Sequence, residues 1–391
     1  MIIRDANFFD GEKFINGDIR IEGGKISETG VNLSKTGDSE EVHEFNGCKL
    51  IPGPLDVHTH GRIGYDFTTA SESEIHKMLE DYLNSGVTGV LATIMTNDKN
   101  ILLSAFERVG RIIKEQREAL ASCGNGDICR EATIYGINFE GVWLSPKKKG
   151  AHLEKYLELP SVRTYEEFDR ASDGNIRLAT IAPELEGAID LIRSKKDRTH
   201  FSLGHSAAGY EETIKGIEAG ADHATHLFNA MPPLGHREPG LAGAVLDRHL
   251  FTEIICDGYH VHPAMIRMVF GANAGRTVLI SDSIAPAGLK DGVYTSGGQQ
   301  VTAVDGKILT DEGTIAGSGI SLFEGLKRCV RTFGIDENKA VRAATLNAAE
   351  SAGLSSVTGS ISPGKNADMV VIDEDYNIVN IIKNGKLVKT M

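Results

Sequence analysis

Two histidines separated by a single residue, His58 and His60, are the first residues of the chain whose types and spacing could do chemistry. Side chains alternate between the two faces of a strand, so both imidazoles project from the same face of an extended segment. Such a pair can provide two metal ligands. A His-x-His pair taken alone is more often two surface histidines, so its interpretation depends on the rest of the chain.

Other histidines and carboxylates follow later apolar, strand-like segments. The residues at these segment ends are His58, His60, Glu140, His205, His226, Asp257, His260 and Asp282. The carboxyl ends of the strands of a parallel barrel open on one face, where catalytic groups collect. A single histidine at a strand end is more often a satisfied polar group than a ligand. Six strand ends that converge on His, Glu and Asp predict a metal site.

The chemistry that these residues allow is that of a divalent transition metal. Imidazole and carboxylate ligands suit Zn²⁺ first, and also Fe²⁺, Mn²⁺ or Co²⁺, while the lack of convergent cysteines argues against a thiolate site. The histidines and carboxylates together exceed the needs of one open site. The chain could therefore bind one or two ions, and we favour two that are bridged by Glu140. Asp282, beside a metal-activated water, could pass a proton to a leaving nitrogen, could ligate the metal, or could do both.

The segments that must position these residues alternate between strand-like and helix-like patterns. Eight apolar strand-like runs can be counted, at residues 55–58, 87–94, 133–139, 176–181, 199–204, 222–226, 251–256 and 277–280. Amphipathic helical stretches lie between them, for example at residues 210–219, and a final helix is expected over 338–349. Eight alternations over roughly 250 residues predict a (β/α)8 TIM barrel of the α/β class. A doubly wound sheet is the alternative, but no Gly-rich dinucleotide turn follows the first strand.

Both ends of the chain have a different pattern, with short alternating strands broken by Gly and Asn turns. Isolated hairpins are marginal in water, so we expect the two ends to pair. The predicted domains are a small β-sandwich from residues 1–53 and 353–391, and a barrel from residues 54–352. Residues 292–311 are expected to form one or two hairpins over the barrel mouth.

Composition argues against several classes of protein. Lys plus Arg number 41 and Asp plus Glu number 54, which gives a formal net charge of −13. So acidic a chain is a poor candidate for binding nucleic acid or anionic membranes. No apolar run is long enough to span a bilayer, the start of the chain lacks a signal-peptide profile, and the five cysteines are widely spread. We therefore expect a cytoplasmic protein with reduced thiols.

Longer motifs around the same residues resemble one family. The chain is similar to the N-acetylglucosamine-6-phosphate deacetylases of the amidohydrolase superfamily at residues 138–141, 148–152, 204–206, 225–232, 235–243, 257–260, 281–282 and 315–318. The run His-Leu-Phe-Asn-Ala-Met at 226–231, followed by Arg-Glu-Pro-Gly at 237–240, is highly specific to that family. In this branch Glu140 takes the bridging place that a carboxylated lysine has in many other superfamily members.

The resemblance implies a homodimer that hydrolyses the acetamide of N-acetyl-D-glucosamine 6-phosphate in amino-sugar metabolism. It implies metal binding by Glu140, His205 and His226, a second metal at His58 and His60, and proton transfer by Asp282. It places substrate against Ala151, His152, Asn229, Ala230, Arg237, Asp257, His260, Ile315, Ala316 and Gly317.

Three alternatives remain open from the sequence. Arg237 has the forked geometry that phosphate prefers, but it could instead form a surface ion pair with Glu238. The sugar could be N-acetylgalactosamine 6-phosphate. A metal-free amidohydrolase scaffold could serve as a binding module, although every expected ligand position is filled in this chain.

Overall fold

The first part of the chain forms a set of short strands in the computed structural model, which describes residues 1–37, 40–121 and 130–388. These strands are β1 (Ile2–Phe9), β2 (Phe14–Glu22), β3 (Lys25–Gly30), β4 (Val42–Glu44) and β5 (Lys49–Pro52). β1 pairs antiparallel with β2 and parallel with both β4 and β5. The chain then enters the barrel directly after β5.

A parallel sheet follows, and in the described part of the chain it has eight strands. β6 (Leu55–Thr59) is followed by a hairpin of β7 (Gly61–Arg62) and β8 (Tyr65–Asp66), and the other strands are β9 (Gly89–Met95), β10 (Thr133–Glu140), β11 (Ile176–Ile181), β12 (His200–Leu203), β13 (His223–Ala224), β14 (Phe251–Ile255) and β15 (Thr277–Ile280). Successive strands are neighbours, and the amide of Asp282 donates to the carbonyl of His58 at 2.9 Å, where β15 meets β6. The predicted (β/α)8 barrel is confirmed.

Helices pack around this sheet. They are α1 (Glu72–Asn84), α2 (Lys99–Ala121), α3 (Val162–Ala171), α4 (Ala188–Lys195), α5 (Tyr210–Ala219), α6 (Gly240–Asp247), α7 (Pro263–Asn273), α8 (Leu322–Arg331), α9 (Glu337–Ala344) and α10 (Leu346–Ser351). In α1, Ser71 and Glu74 form a capping box, and Ile75, Leu79 and Tyr82 are buried on one face at helical spacing. None of the helices in the described ranges is long and apolar enough to cross a membrane.

A four-stranded antiparallel sheet separates the last barrel strand from α8, and we call it the lid sheet. Its strands are β16 (Gly292–Ser296), β17 (Gln299–Val304), β18 (Lys307–Thr310) and β19 (Ile315–Ser318). Ile284, Val301 and Ile308 form a small apolar cluster under it. The hairpins predicted over residues 292–311 therefore belong to one sheet.

The C-terminal strands complete the sheet that the N-terminal strands begin. β20 (Met369–Ile372), β21 (Ile378–Lys383) and β22 (Lys386–Val388) extend it in the order β22-β21-β20-β5-β1-β2-β3. Because side chains alternate along a strand, Leu50 and Val371 join an apolar cluster of the terminal sheet, whereas Ile51 and Val370 join the main core of the barrel. The expectation that both termini build one β unit is confirmed, and its described strands belong to a single hydrogen-bonded sheet.

Candidate active site

Six buried side chains meet where five barrel strands end. They are His58 and His60 from β6, Glu140 from β10, His205 after β12, His226 after β13 and Asp282 after β15. Two groups of three are formed, His58 with His60 and Asp282, and Glu140 with His205 and His226. Within each group the possible ligand atoms lie within 4.8 Å of one another. The structure therefore brings together all six residues that the sequence assigns to metal binding.

Glu140 lies between the two groups and faces both. Its Oε1 is 2.9 Å from Nε2 of His226 and 3.2 Å from Nε2 of His205. Its Oε2 is 3.1 Å from Nε2 of His60, and Nε2 of His58 is 3.4 Å from Oε1. One carboxylate can accordingly contact ligands of both groups, as a bridging ligand must.

The arrangement of these donors fits a divalent cation. The Nε2 atoms of His205 and His226 are only 3.0 Å apart and both face the same carboxylate oxygen. Nε2 of His58 is buried and has no hydrogen-bond partner among the described residues. Buried imidazole nitrogens that converge with carboxylate oxygens form a ligand set of the kind used for Zn²⁺ and related metals.

The backbone at three of these residues adopts the left-handed region. The φ angles are 45° at His205, 27° at His226 and 49° at Asp282. Non-glycine residues held there cost of order 1–3 kcal/mol each and are concentrated at functional sites. At Asp282 the neighbouring strands hold the turn, because its carbonyl accepts from the amide of Ser318 at 2.8 Å. Each of these turns directs a side chain into the shared site.

Charge interactions keep the two acids ionised. Burial alone would raise the pKa of Glu140, but the surrounding histidines, His58 and His152 first among them, hold it well below its usual range. The pKa of Asp282 is also lowered, because the hydrogen bond from His60 and the nearby imidazoles outweigh the effect of burial. Both carboxylates are therefore available as metal ligands, and Asp282 also as a proton acceptor.

A further carboxylate, Glu253 on β14, lies fully buried behind the site. Its Oε2 accepts from Nδ1 of His58 at 2.8 Å and from the backbone N–H of His226 at 3.1 Å. Its Oε1 is 3.3 Å from Nε2 of His223. Glu253 is not among the residues predicted from the sequence, although a charged residue within an otherwise apolar strand is the signal that could have revealed it.

A cavity of about 330 Å³ opens above the six side chains. Eight of the ten residues assigned to substrate line it: Ala151, His152, Asn229, Ala230, His260, Ile315, Ala316 and Gly317. His152 also approaches the centre, because its Nε2 is 3.3 Å from Glu140 and its Nδ1 is 2.9 Å from Oγ1 of Thr96. Burial lowers the pKa of His152 to about 4, so this imidazole is neutral.

The other two residues assigned to substrate, Asp257 and Arg237, do not line this cavity. Asp257 is buried, and its carboxylate binds Nδ1 of His260 at 2.6 Å, so it fixes a residue of the cavity wall. Arg237 is exposed, with Nη1 2.8 Å from Nε2 of His236. Among the described residues that line the cavity, none is Arg or Lys.

The lid sheet forms the upper wall of the cavity. Ser296 from β16 and Gln299 and Val301 from β17 face the barrel residues across it. The side-chain amide of Gln299 donates to the carbonyl of Ala151, which joins the lid sheet to the loop after β10. Sequence reasoning placed strands here but did not single out Gln299, because no local pattern shows which side chain of a hairpin reaches a distant loop.

Comparisons with known proteins agree with this geometry. A model of the amidohydrolase family matches residues 50–388. The chain is 34% identical over 391 residues to the N-acetylglucosamine-6-phosphate deacetylase of Bacillus subtilis, covering 99% of this chain and 96% of the relative. It is 32% identical over 348 residues to the N-acetylgalactosamine-6-phosphate deacetylase of Escherichia coli O157:H7, covering 88% and 89%.

A solved structure supports the same relationship. It is that of an aspartate-to-alanine mutant of N-acetyl-D-glucosamine-6-phosphate deacetylase from Mycobacterium smegmatis, in complex with N-acetyl-D-glucosamine-6-phosphate. It matches with a TM-score of 0.88 and 29% identity, covering 99% of this chain and 98% of that chain.

Proposed function

Because the chain belongs to the amidohydrolase family, we propose that it hydrolyses N-acetyl-D-glucosamine 6-phosphate to D-glucosamine 6-phosphate and acetate. The observation that carries the proposal is Glu140 between two groups of buried ligands at the floor of a cavity. That arrangement suits metal-dependent hydrolysis, and full-length similarity to sugar-phosphate deacetylases identifies the amide.

The six residues would hold one or two divalent transition metals, with Zn²⁺ the first candidate and Fe²⁺, Mn²⁺ or Co²⁺ the others. A metal held by these residues would supply polarisation of an amide carbonyl and a lower pKa for water. Asp282 then accepts a proton as the water oxygen attacks the carbonyl carbon. The same proton goes to the nitrogen as the carbon–nitrogen bond breaks, so the products are a free amine and acetate.

The cavity walls would hold the sugar and its phosphate. His152, on the loop after β10, and His260, on the loop after β14 and fixed by Asp257, face the cavity and are suited to bind sugar hydroxyls. The backbone at Asn229 and Ala230, where Ala230 has a φ of 49°, offers polar groups at the other wall. Arg237 lies on the loop that follows and is our candidate for the phosphate contact.

We further propose that the protein is a cytoplasmic homodimer. The dimer is what the resemblance to the deacetylase family implies. Cys48, Cys256 and Cys329 are free thiols, which suits a reducing compartment. Sedimentation analysis of the purified protein tests the dimer, and a monomer at micromolar concentration would contradict it.

The two alternative functions are less well supported. The relative named for N-acetylgalactosamine 6-phosphate is similar over a shorter part of this chain, 348 residues compared with 391. A metal-free binding module would have no need for six buried ligands at a cavity floor. The glucosamine substrate therefore remains our proposal.

One experiment separates all three functions. Acetate release should be measured with N-acetylglucosamine 6-phosphate, N-acetylgalactosamine 6-phosphate and unphosphorylated N-acetylglucosamine, alongside elemental analysis of bound metal. We expect the first substrate to give the highest kcat/KM, with two metal equivalents per chain and loss of activity on chelation. Faster turnover of the galactosamine epimer would change the substrate. Neither metal nor acetate release would identify a binding module.

A further inference from the structure

Glu253 is the buried group for which the proposed reaction has no use. Its side chain is 0% exposed, and it does not belong to the residues that line the cavity. Taking a carboxylate out of water is costly unless its oxygens are hydrogen-bonded, so its partners show what it is for. The hydrogen-bond partners are the ring of His58 and the backbone of His226, both on Oε2. Oε1 lies 3.3 Å from Nε2 of His223 and has no hydrogen bond among the described residues.

The contact with His58 determines which nitrogen of that ring can bind a metal. An ionised carboxylate only accepts hydrogen bonds, so the 2.8 Å contact places the proton of His58 on Nδ1. The lone pair is then on Nε2, the atom that lies 3.4 Å from Glu140 and 3.6 Å from Asp282. A carboxylate behind a ligating histidine fixes the tautomer and orientation of the ring and raises its basicity.

His60, the other histidine of the His-x-His pair, has no carboxylate behind its ring among the described residues. Nδ1 of His60 is buried and has no hydrogen-bond partner among the described residues. Of the two imidazoles at this position, only His58 is therefore held from behind by a charged group. Removing the carboxylate of Glu253 should therefore weaken metal binding first at the position formed by His58, His60 and Asp282.

The contact with His226 concerns the other group. Oε2 of Glu253 accepts the backbone N–H of His226 at 3.1 Å, at a residue with a φ of 27°. This bond goes to the backbone and leaves the ring of His226 free to face Glu140 at 2.9 Å. A neutral amide oxygen in place of Oε2 accepts both bonds less strongly than a carboxylate does. The backbone N–H of His226 cannot move its proton, whereas the ring of His58 can carry its proton on either nitrogen, so removal of the charge should affect His58 first.

We propose that Glu253 is a positioning residue that fixes the tautomer of His58 and thereby sets metal affinity at the position formed by His58, His60 and Asp282. The inference rests on the metal centre of the proposed function, but not on the identity of the sugar. It requires that removing the charge of Glu253 weakens one metal position selectively.

The test compares metal binding by four versions of the full-length protein. They are the wild type, Glu253→Gln, the double variant His58→Ala/His60→Ala, and the triple variant that combines both changes. Zn²⁺ dissociation constants are measured by competition with a chromogenic chelator at one pH, and metal equivalents by elemental analysis. We expect Glu253→Gln to raise the dissociation constant of the second metal equivalent about 10–100-fold. This is the size typical of replacing a residue that supports a ligand from behind.

The triple variant distinguishes positioning from a general structural role. If Glu253 acts through His58, adding Glu253→Gln to the double variant should not change the affinity of the metal that remains. A matched control is Glu131→Gln, because Glu131 also binds the Nδ1 of a histidine, at 3.0 Å from His76, outside the site. That control should leave both affinities unchanged. Circular dichroism establishes that each variant is folded. If Glu253→Gln does not fold, Glu253→Asp replaces it, because the shorter side chain moves the carboxylate away from Nδ1 of His58 and the same selective loss of metal affinity is expected.

The outcomes separate this inference from the proposed function. Wild-type affinities in Glu253→Gln, or equal weakening of both equivalents, would overturn the role of Glu253 while leaving the deacetylase proposal intact. Wild-type protein that binds no metal would overturn both. A protein that binds two metals but does not release acetate would overturn the function and leave the positioning role standing.

Discussion

Glu140 is the residue on which the charges of the site converge. Five histidine Nε2 atoms lie within 3.4 Å of its oxygens, those of His58, His60, His152, His205 and His226. No other strand end supplies a carboxylate that reaches both groups of ligands among the described residues. Among the described residues, the carboxylate of Asp282 contacts instead His60 at 3.3 Å and His58 at 3.6 Å. A carboxylate at the edge of the centre is better placed to exchange a proton with substrate.

Replacing Asp282 with Asn tests this division of roles. The change keeps the size of the side chain but removes its basicity, so we expect kcat to fall by roughly 10²–10⁴-fold, the usual contribution of general acid–base catalysis. Acetate release and bound metal should be measured together. Asp190→Asn, at an exposed position on α4, is the matched control. A smaller fall in kcat with full metal content would assign the proton transfer to another group.

Arg237 should matter only when the sugar carries a phosphate. A hydrogen bond to a charged group contributes roughly 1.5–3 kcal/mol, which is about 10–150-fold in kcat/KM. We expect Arg237→Ala to lower kcat/KM for the 6-phosphate by about that factor and to leave the slow turnover of unphosphorylated N-acetylglucosamine nearly unchanged. Arg248→Ala, another exposed arginine after α6, is the control. Equal losses with both substrates would mean that Arg237 has a structural role.

At the scale of residues, the sequence predicted the side chains whose role depends on their position along one strand. The six residues of the centre could be found because each follows an apolar strand, and parallel strands bring their ends together. Glu253 and Gln299 could not, because their roles depend on partners 195 and 148 residues away in the chain. No local pattern in the sequence indicates contacts between residues so far apart.

At the scale of elements, predicted and observed boundaries agree where apolar runs are short and flanked by polar residues. Strands Ile176–Ile181 and Thr277–Ile280 and helix Tyr210–Ala219 begin and end as predicted. The helix expected over 338–349 divides at Thr345, where φ is −129° and ψ is −85°, into α9 and α10. The hydroxyl of Thr345 donates to the carbonyl of Val341 at 2.7 Å and closes the first helix.

The lid sheet offers a test at the scale of one element. Gln299 and Gln300 are neighbours on β17, but Gln299 binds the carbonyl of Ala151 whereas Gln300 binds Asp311 within the lid sheet at 3.2 Å. A typical net hydrogen bond is worth about 0.5–1.5 kcal/mol, or about 2–12-fold. We expect Gln299→Ala to raise KM by that factor, because the loop that holds Ala151 loses its contact with the lid sheet.

Gln300→Ala is the matched control for this prediction, since it removes the same side chain from the adjacent position. Its KM should stay within experimental error of the wild type. Steady-state kinetics with N-acetylglucosamine 6-phosphate measure both variants. If the two substitutions changed KM equally, the lid sheet would act through its general stability and not through the contact with Ala151.

At the scale of the whole molecule, a buried lysine joins the terminal sheet to the barrel. Lys383 on β21 is 0% exposed, and its Nζ lies 2.7 Å from Oδ2 of Asp368, 2.9 Å from the carbonyl of Thr88 and 2.8 Å from Oγ1 of Thr133. The two threonines precede and begin barrel strands, so three donors of one ammonium group hold two parts of the fold together. The sequence predicted that the termini would pair, but nothing local marks Lys383 as buried.

Lys383→Met should therefore destabilise the protein as a whole. The substitution keeps an unbranched side chain that is one atom shorter, and it leaves the carboxylate of Asp368 buried without its counter-charge. Breaking a buried ion pair in this way typically costs about 3–5 kcal/mol. The urea midpoint should fall, while Lys215→Met, at an exposed lysine on α5, should change stability by no more than about 0.5 kcal/mol.

The double variant Lys383→Met/Asp368→Asn shows which interaction accounts for the loss of stability in Lys383→Met. The amide of asparagine can still accept the backbone N–H of Asn384, which Asp368 binds at 2.7 Å, and it carries no charge. If the unpaired carboxylate is the main penalty, the double variant should be more stable than Lys383→Met alone, because replacing both partners of a buried pair is often nearly neutral. If the double variant is as unstable as the single one, the contacts to Thr88 and Thr133 account for the loss of stability. Lys383 would then join the two parts of the molecule by hydrogen bonds and not by charge.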